Sequence, residues 1–133
     1  MQIVIFLLGE KRYAFKTEKV LEISKEANPT IVPNSPDWVE GLVNLRGDIV
    51  TMVNLSKILQ LDDSLCYNKF IILENEDEKV GLLVTDVIEV INIEDEDLQK
   101  VDSLENNGVV GIVKLNEEIV NIIDINSLMK NEG

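Results

Sequence analysis

The chain has 133 residues, with 12 Lys+Arg against 25 Asp+Glu, a net charge of −13, and an apolar fraction of 45%. That length suits one domain of about 100–200 residues with a true core, while the shortage of basic side chains argues against nucleic acid, whose binding draws on Lys and Arg. There is no histidine, which removes the commonest general base and the commonest zinc ligand, so neither a metal nor a cofactor is expected.

Short Val- and Ile-rich runs separated by turn residues predict strands at 2–8, 12–16, 20–24, 42–46, 49–54, 69–74, 79–84, 87–93, 109–115 and 118–123. Ser35-Pro36 reads as an N-cap followed by a first-turn proline, which predicts one helical turn through Trp38 and Glu40, ended by Gly41. Trp38 on that turn is read as a plug for the end of the first barrel, a contact with a partner being the alternative. Two more short helices are expected near 55–60 and 125–130. The longest apolar stretches, Ile3 to Leu8 and Val80 to Val84, fall far short of the ~20 residues of a membrane span. The lone Cys66 and a chain that opens on a strand rather than a charged leader predict a cytoplasmic protein without disulfides.

The elements repeat. A shift of 70 lays Gly41–Leu55 onto Gly111–Ile125 with every apolar position matched, and a shift of 67 lays Ile3–Phe6 onto Phe70–Leu73 and Val20–Ile23 onto Val87–Val90. About five strands per copy suit a small, partly open barrel of SH3-like or OB-like size. The expected fold is therefore all-β, two five-stranded barrels with short helices. The first subdomain is expected at 1–65 and the second at 66–133, strand exchange between them being possible. Charge divides unevenly: residues 1–66 carry 7 basic and 9 acidic side chains, residues 67–133 carry 5 and 16, so a charge-reading partner meets two different faces.

Positions that differ between the copies are those the shared scaffold leaves open. Asn44, Arg46 and Gly47 stand where the second copy has Lys114, Asn116 and Glu117. Arg46 is the candidate contact, because the guanidinium fork and its apolar stem favour interfaces; an ordinary ion pair with Asp48 or Asp37 is the structural alternative.

The segment Ile31–Val50, with its proline, short turn, Gly41 and Asn44-Leu45-Arg46-Gly47 hairpin, resembles the signature region of CheW-type chemotaxis coupling proteins. Phe6-Leu7-Leu8-Gly9-Glu10, Tyr13, Val20 and Glu22 resemble that family's first strands, and Val80–Val84 with Val87 and Val90 its second half. The resemblance implies a non-catalytic cytoplasmic scaffold, recruited to membrane receptor arrays, that joins the regulatory domain of the histidine kinase CheA to the hairpin tips of chemoreceptors. It implies receptor contacts at Val20, Glu22, Arg46, Phe70 and Val90, with Gly41 and Gly47 as backbone-determined neighbours, and leaves the kinase surface without assigned residues. The sequence departs from the family pattern at Thr51, at Asn54-Leu55-Ser56 and at Thr85, which bears on partner choice more than on fold. Two other readings stay open, an interaction module of another CheA-like pathway and a small ligand-binding β-barrel. The acidic runs Glu74–Glu78 and Glu94–Asp97 are read as solvated turns rather than catalytic carboxylates.

Overall fold

A computed structural model describes residues 1–24, 29–59, 61, 69–101 and 108–125. The elements are β1 (Gln2–Leu8), β2 (Lys11–Lys16), a 3₁₀ turn (Thr17–Lys19), β3 (Val20–Ser24), β4 (Val39–Leu45), β5 (Asp48–Asn54) and α1 (Leu55–Ile58). They are followed by β6 (Lys69–Asn75), β7 (Glu78–Val84), β8 (Asp86–Asn92), a second 3₁₀ turn (Asp95–Asp97), β9 (Leu98–Lys100), β10 (Val109–Leu115) and β11 (Glu118–Ile123). The fold is all-β, with two small sheets: a six-stranded one ordered β8-β1-β2-β11-β10-β9 and a five-stranded one ordered β3-β6-β7-β5-β4.

The repeat is visible in this order. Replacing each strand of one sheet by its sequence-matched partner turns β8-β1-β2-β11-β10 into β3-β6-β7-β5-β4. Each sheet takes strands from both halves of the chain, and each contains one parallel pair, β2–β11 in one and β5–β7 in the other. An ion pair crosses each parallel pair: Arg12–Glu118 at 2.9 Å, and Lys79–Asp48. These two pairs occupy matched positions.

Burial follows strand alternation. On β1, Val4, Phe6 and Leu8 enter the core between the sheets, while Ile3 and Ile5 join Ala14, Val113, Val120 and Ile122 in the core of the six-stranded sheet. On β6, Ile71 and Leu73 enter the shared core, while Phe70 and Ile72 pack with Val50 and Met52 in the five-stranded sheet. Phe6 stacks on Tyr13 and Phe15, with ring centroids 6.1 Å and 5.3 Å apart.

Three features correct the sequence reading. First, Ser35 Oγ donates to Val32 O at 2.8 Å and so does not cap a helix; Asp37-Trp38 is a turn, closed by Val39 N–H donating to Pro36 O, and β4 starts at Val39. Secondly, Gly41 does not end a helix but lies at a bulge in β4, at φ 142°, where a Cβ would sit 2.4 Å from Thr30 O. Thirdly, β9 was not expected. Its three residues follow an acidic run with no alternation to mark them, and they line the edge of β10 with Gln99 opposite Ile112. The matched place in the first half holds the Thr30–Leu42 bridge, in which the two residues exchange both backbone hydrogen bonds at 2.8 and 2.9 Å. Trp38 is half-buried against the core between the sheets. Asn54 caps α1 by accepting from Lys57 N–H at 3.2 Å. The remainder of the helix expected at 125–130, together with Cys66, lies outside the described residues.

Three hairpins turn through pairs of left-handed residues: Arg46-Gly47, Glu76-Asp77 and Asn116-Glu117. Mirror-image turns favour Asn-Gly, which the Asn116-Glu117 turn lacks at its second position. Glu117→Gly is therefore expected to raise stability by about 0.5–1 kcal/mol, and Gly41→Ala to lower it by more than about 2 kcal/mol through backbone clash and strain, both measurable by urea denaturation.

Candidate functional site

The β4–β5 hairpin presents the distinguishing residues of the first half. Asn44 Oδ1 accepts from Gly47 N–H at 3.1 Å, which sets the turn, and Arg46 and Gly47 take φ of 54° and 87°. Nothing stands within 4 Å of a Cβ placed on Gly47, so glycine there serves the turn conformation and not close packing. The turn projects Arg46 outward: its side chain is 81% exposed, and Nη1 donates to Glu22 Oε2 of β3 at 2.9 Å. The cation is thus fixed in direction by a carboxylate from the opposite edge of the same sheet while most of its surface faces solvent. The partner is Glu22, not Asp48 or Asp37.

The other expected contacts separate into groups. Val20, also on β3, is half-buried against the shared core, and Gly41 is buried at the β4 bulge. Val90 is 50% exposed but lies on β8, in the other sheet. Phe70 must be corrected: at 1% exposure its ring fills the core of the five-stranded sheet with Val50, Met52 and Ile72. The alternation of β6 puts it on the inner face, and it can influence a surface only by supporting β3, against which it pairs at Ser24.

Val90 apart, sequence reasoning missed a set of exposed apolar side chains. Leu21, Ile23 and Ile49 in the first half and Ile88, Val90 and Ile119 in the second are 40–58% exposed, and each lies at the repeat-matched position of another: Leu21 with Ile88, Ile23 with Val90, Ile49 with Ile119. β3 and β8, which carry four of them, are the matched edge strands of the two sheets. The repeat offset held this signal, because apolar residues kept at the same outward positions in both copies are not needed by either core. Charge distinguishes the two settings: the place of the Arg46–Glu22 pair is taken in the second half by Asn116 and Glu89. At the start of β8, Lys69 Nζ donates to Asp86 and, with the Val87 N–H, holds that carboxyl below the usual carboxylate range.

The acidic runs lie where turns were expected. Glu76-Asp77 forms the β6–β7 turn, and Glu94–Asp97 closes on itself as a capping box, with Glu94 N–H donating to Asp97 Oδ2 at 3.0 Å. No group of His, Cys, Asp or Glu among the described residues could hold a metal ion.

The profile of the CheW-like domain matches residues 2–133. The chain belongs to the CheW-like family. It is 30% identical to the chemotaxis protein CheW of Thermotoga maritima over 132 residues, covering 97% of this chain and 87% of that one. It is 29% identical to the chemotaxis protein CheW of Treponema pallidum over 141 residues, covering 98% and 83%. Among solved structures it resembles the scaffolding protein TtCheW from Thermoanaerobacter tengcongensis, with a TM-score of 0.87, 31% identity, and coverage of 96% and 90% of the two chains. This CheW-like chain is accordingly of a chemotaxis scaffold family, and its two-sheet fold is that of the family.

An exposed ion pair stabilises little. A double-mutant cycle of Arg46→Ala and Glu22→Ala is expected to give a folding coupling below about 1 kcal/mol that shrinks further at high salt, which urea denaturation at two ionic strengths checks.

Proposed function

We propose that this chain is a non-catalytic cytoplasmic coupling protein that holds the hairpin tip of a chemoreceptor and the regulatory domain of a CheA-type histidine kinase at the same time. The observation that carries this reading is Arg46, held by Glu22 at a mirror-image turn yet 81% exposed. A side chain aimed by its neighbour but uncovered has lost part of its rotamer freedom before any partner arrives, which lowers the cost of binding. The family relatives named chemotaxis proteins and the fold match to a scaffolding protein support the same reading.

The receptor surface in this proposal comprises Glu22 and Arg46, with Val20, Gly41 and Gly47 shaping the strands behind them, Phe70 supporting β3 from within, and Val90 contributing from the second sheet. A helical hairpin would be gripped by apolar anchors beside one or two charges. The kinase domain would use a separate surface. Among the described residues no helix is long and apolar enough to cross a membrane, so attachment to receptor arrays would come through the receptor itself.

Arg46→Glu places like charge beside Glu22. It is expected to weaken binding of a receptor hairpin by roughly 30-fold or more, as for an interface hot spot, and to change affinity for the kinase regulatory domain by less than about threefold. Calorimetric titration against each partner measures both. Equal loss of the two would overturn separate sites, and absence of any heat with the kinase domain, the protein being folded, would overturn the coupling role.

A further inference from the structure

Because the repeat carries the β3 edge of one sheet onto the β8 edge of the other, each half shows how the scaffold treats a given residue at a given place. Glu22 on β3 stands opposite Ile72, and Glu89 on β8 stands opposite Ile5; the shift of 67 that lays Glu22 on Glu89 also lays Ile5 on Ile72. Both ladders slip at the residue before the glutamate, Leu21 in one and Ile88 in the other, and such a bulge turns its side chain outward. The hairpin turns match as well, since Arg46-Gly47 and Asn116-Glu117 both run through left-handed pairs. The charges do not match. Glu22 is half-buried under the Arg46 guanidinium, whereas the second turn offers Asn116, and Glu89 is exposed and in no ion pair with a described residue. Two cations beside this sheet are held by other carboxylates, Lys69 by Asp86 and Arg12 by Glu118.

We infer, on the receptor reading proposed above, that the docking hairpin presents an arginine or lysine to Glu89, in the place that Arg46 holds at Glu22. Apolar contacts flank this carboxylate: Ile88 and Val90, on either side of it in the strand, are 40% and 50% exposed. A few apolar anchors beside one charge are what a helical segment needs for docking. Once such anchors are covered, the carboxylate between them loses water, and leaving it unpaired costs more than a matching cation gains. The wider field acts in the same direction, because residues 67–133 carry 5 basic and 16 acidic side chains and attract a cation while repelling an anion. The two edges then read opposite signs. At β3 the exposed guanidinium of Arg46 suits an acidic side chain; at β8 Glu89 suits a basic one. A hairpin carrying both signs is held in one orientation, since the reversed one sets like charges together at both places.

Calorimetric titration of the full chain with the isolated cytoplasmic hairpin of a chemoreceptor from the same organism provides the test. Glu89→Gln is expected to weaken hairpin binding by about three- to tenfold, and Glu89→Arg by more than about tenfold. Both changes fall at an exposed edge position, so urea denaturation is expected to show near wild-type stability. Each Arg and Lys of the hairpin tip is then changed to Glu in turn. One of these changes is expected to weaken binding to the wild type by at least about tenfold and to regain at least about fivefold against Glu89→Arg, the coupling of a direct pair. Asn116→Arg copies the first half's arrangement and, by occupying Glu89, is expected to weaken hairpin binding by at least about threefold. Hairpin affinity of Glu89→Arg within about twofold of wild type would overturn the assignment, as would a loss that no hairpin change regains, or an Asn116→Arg variant that binds as the wild type does. Failure of the receptor reading has a different signature: the folded wild-type chain does not bind the hairpin at all, which removes this assignment with it.

Discussion

Strands β1 and β6 are buried on both faces over four consecutive residues, Ile3–Phe6 and Phe70–Leu73, and the rest of the structure depends on giving each of those faces a partner. A strand with side chains on both sides removed from water needs a core on each side. Here the inner faces are closed by each sheet's own curvature and the outer faces by the opposite sheet. The arrangement accounts for the exchange of strands: the outer face of β1 meets the outer face of its repeat partner, and Val4, Phe6 and Leu8 lie in one core with Ile71 and Leu73. Neither sheet could stand without leaving several large apolar side chains in water, a loss of about 25 cal/mol per Å² exposed.

Most of this was legible in the chain because strand alternation and the repeat are properties of residue order. Ten of the strands lie where Val- and Ile-rich runs placed them, and Asn54 caps a helix where one was expected. The failures share a physical cause. Ser35-Pro36 has the composition of a helix start, but a local hydroxyl-to-carbonyl bond from Ser35 to Val32 competes for the same group. β9 exists because β10 offers an edge, not because Leu98–Lys100 prefer extension, so only tertiary structure could reveal it.

The candidate site was half legible. Comparison of the two copies isolated Arg46, yet its partner Glu22 lies 24 positions away in a different element, and no local rule connects them. Phe70 shows the opposite limit. Its inward direction follows from alternation on β6, but a residue carried over by resemblance brings no orientation with it. The exposed apolar pairs were written into the repeat offset all along, and it needed the burial of their neighbours to show that Leu21, Ile23, Ile88 and Val90 serve neither core.

The order in which strands pair also sets a timetable for synthesis. β5 ends at Asn54 and β11 at Ile123, so at about 5–20 residues per second roughly 4–14 s pass between the moment the first half leaves the ribosome and the moment its last partner strand does. Through that interval the β1–β2 hairpin holds Phe6, Tyr13 and Phe15 without the surface that will cover them. A nascent chain of this family is thus a client for whatever binds exposed aromatic hairpins, and slowing translation lengthens the time for which it needs protection.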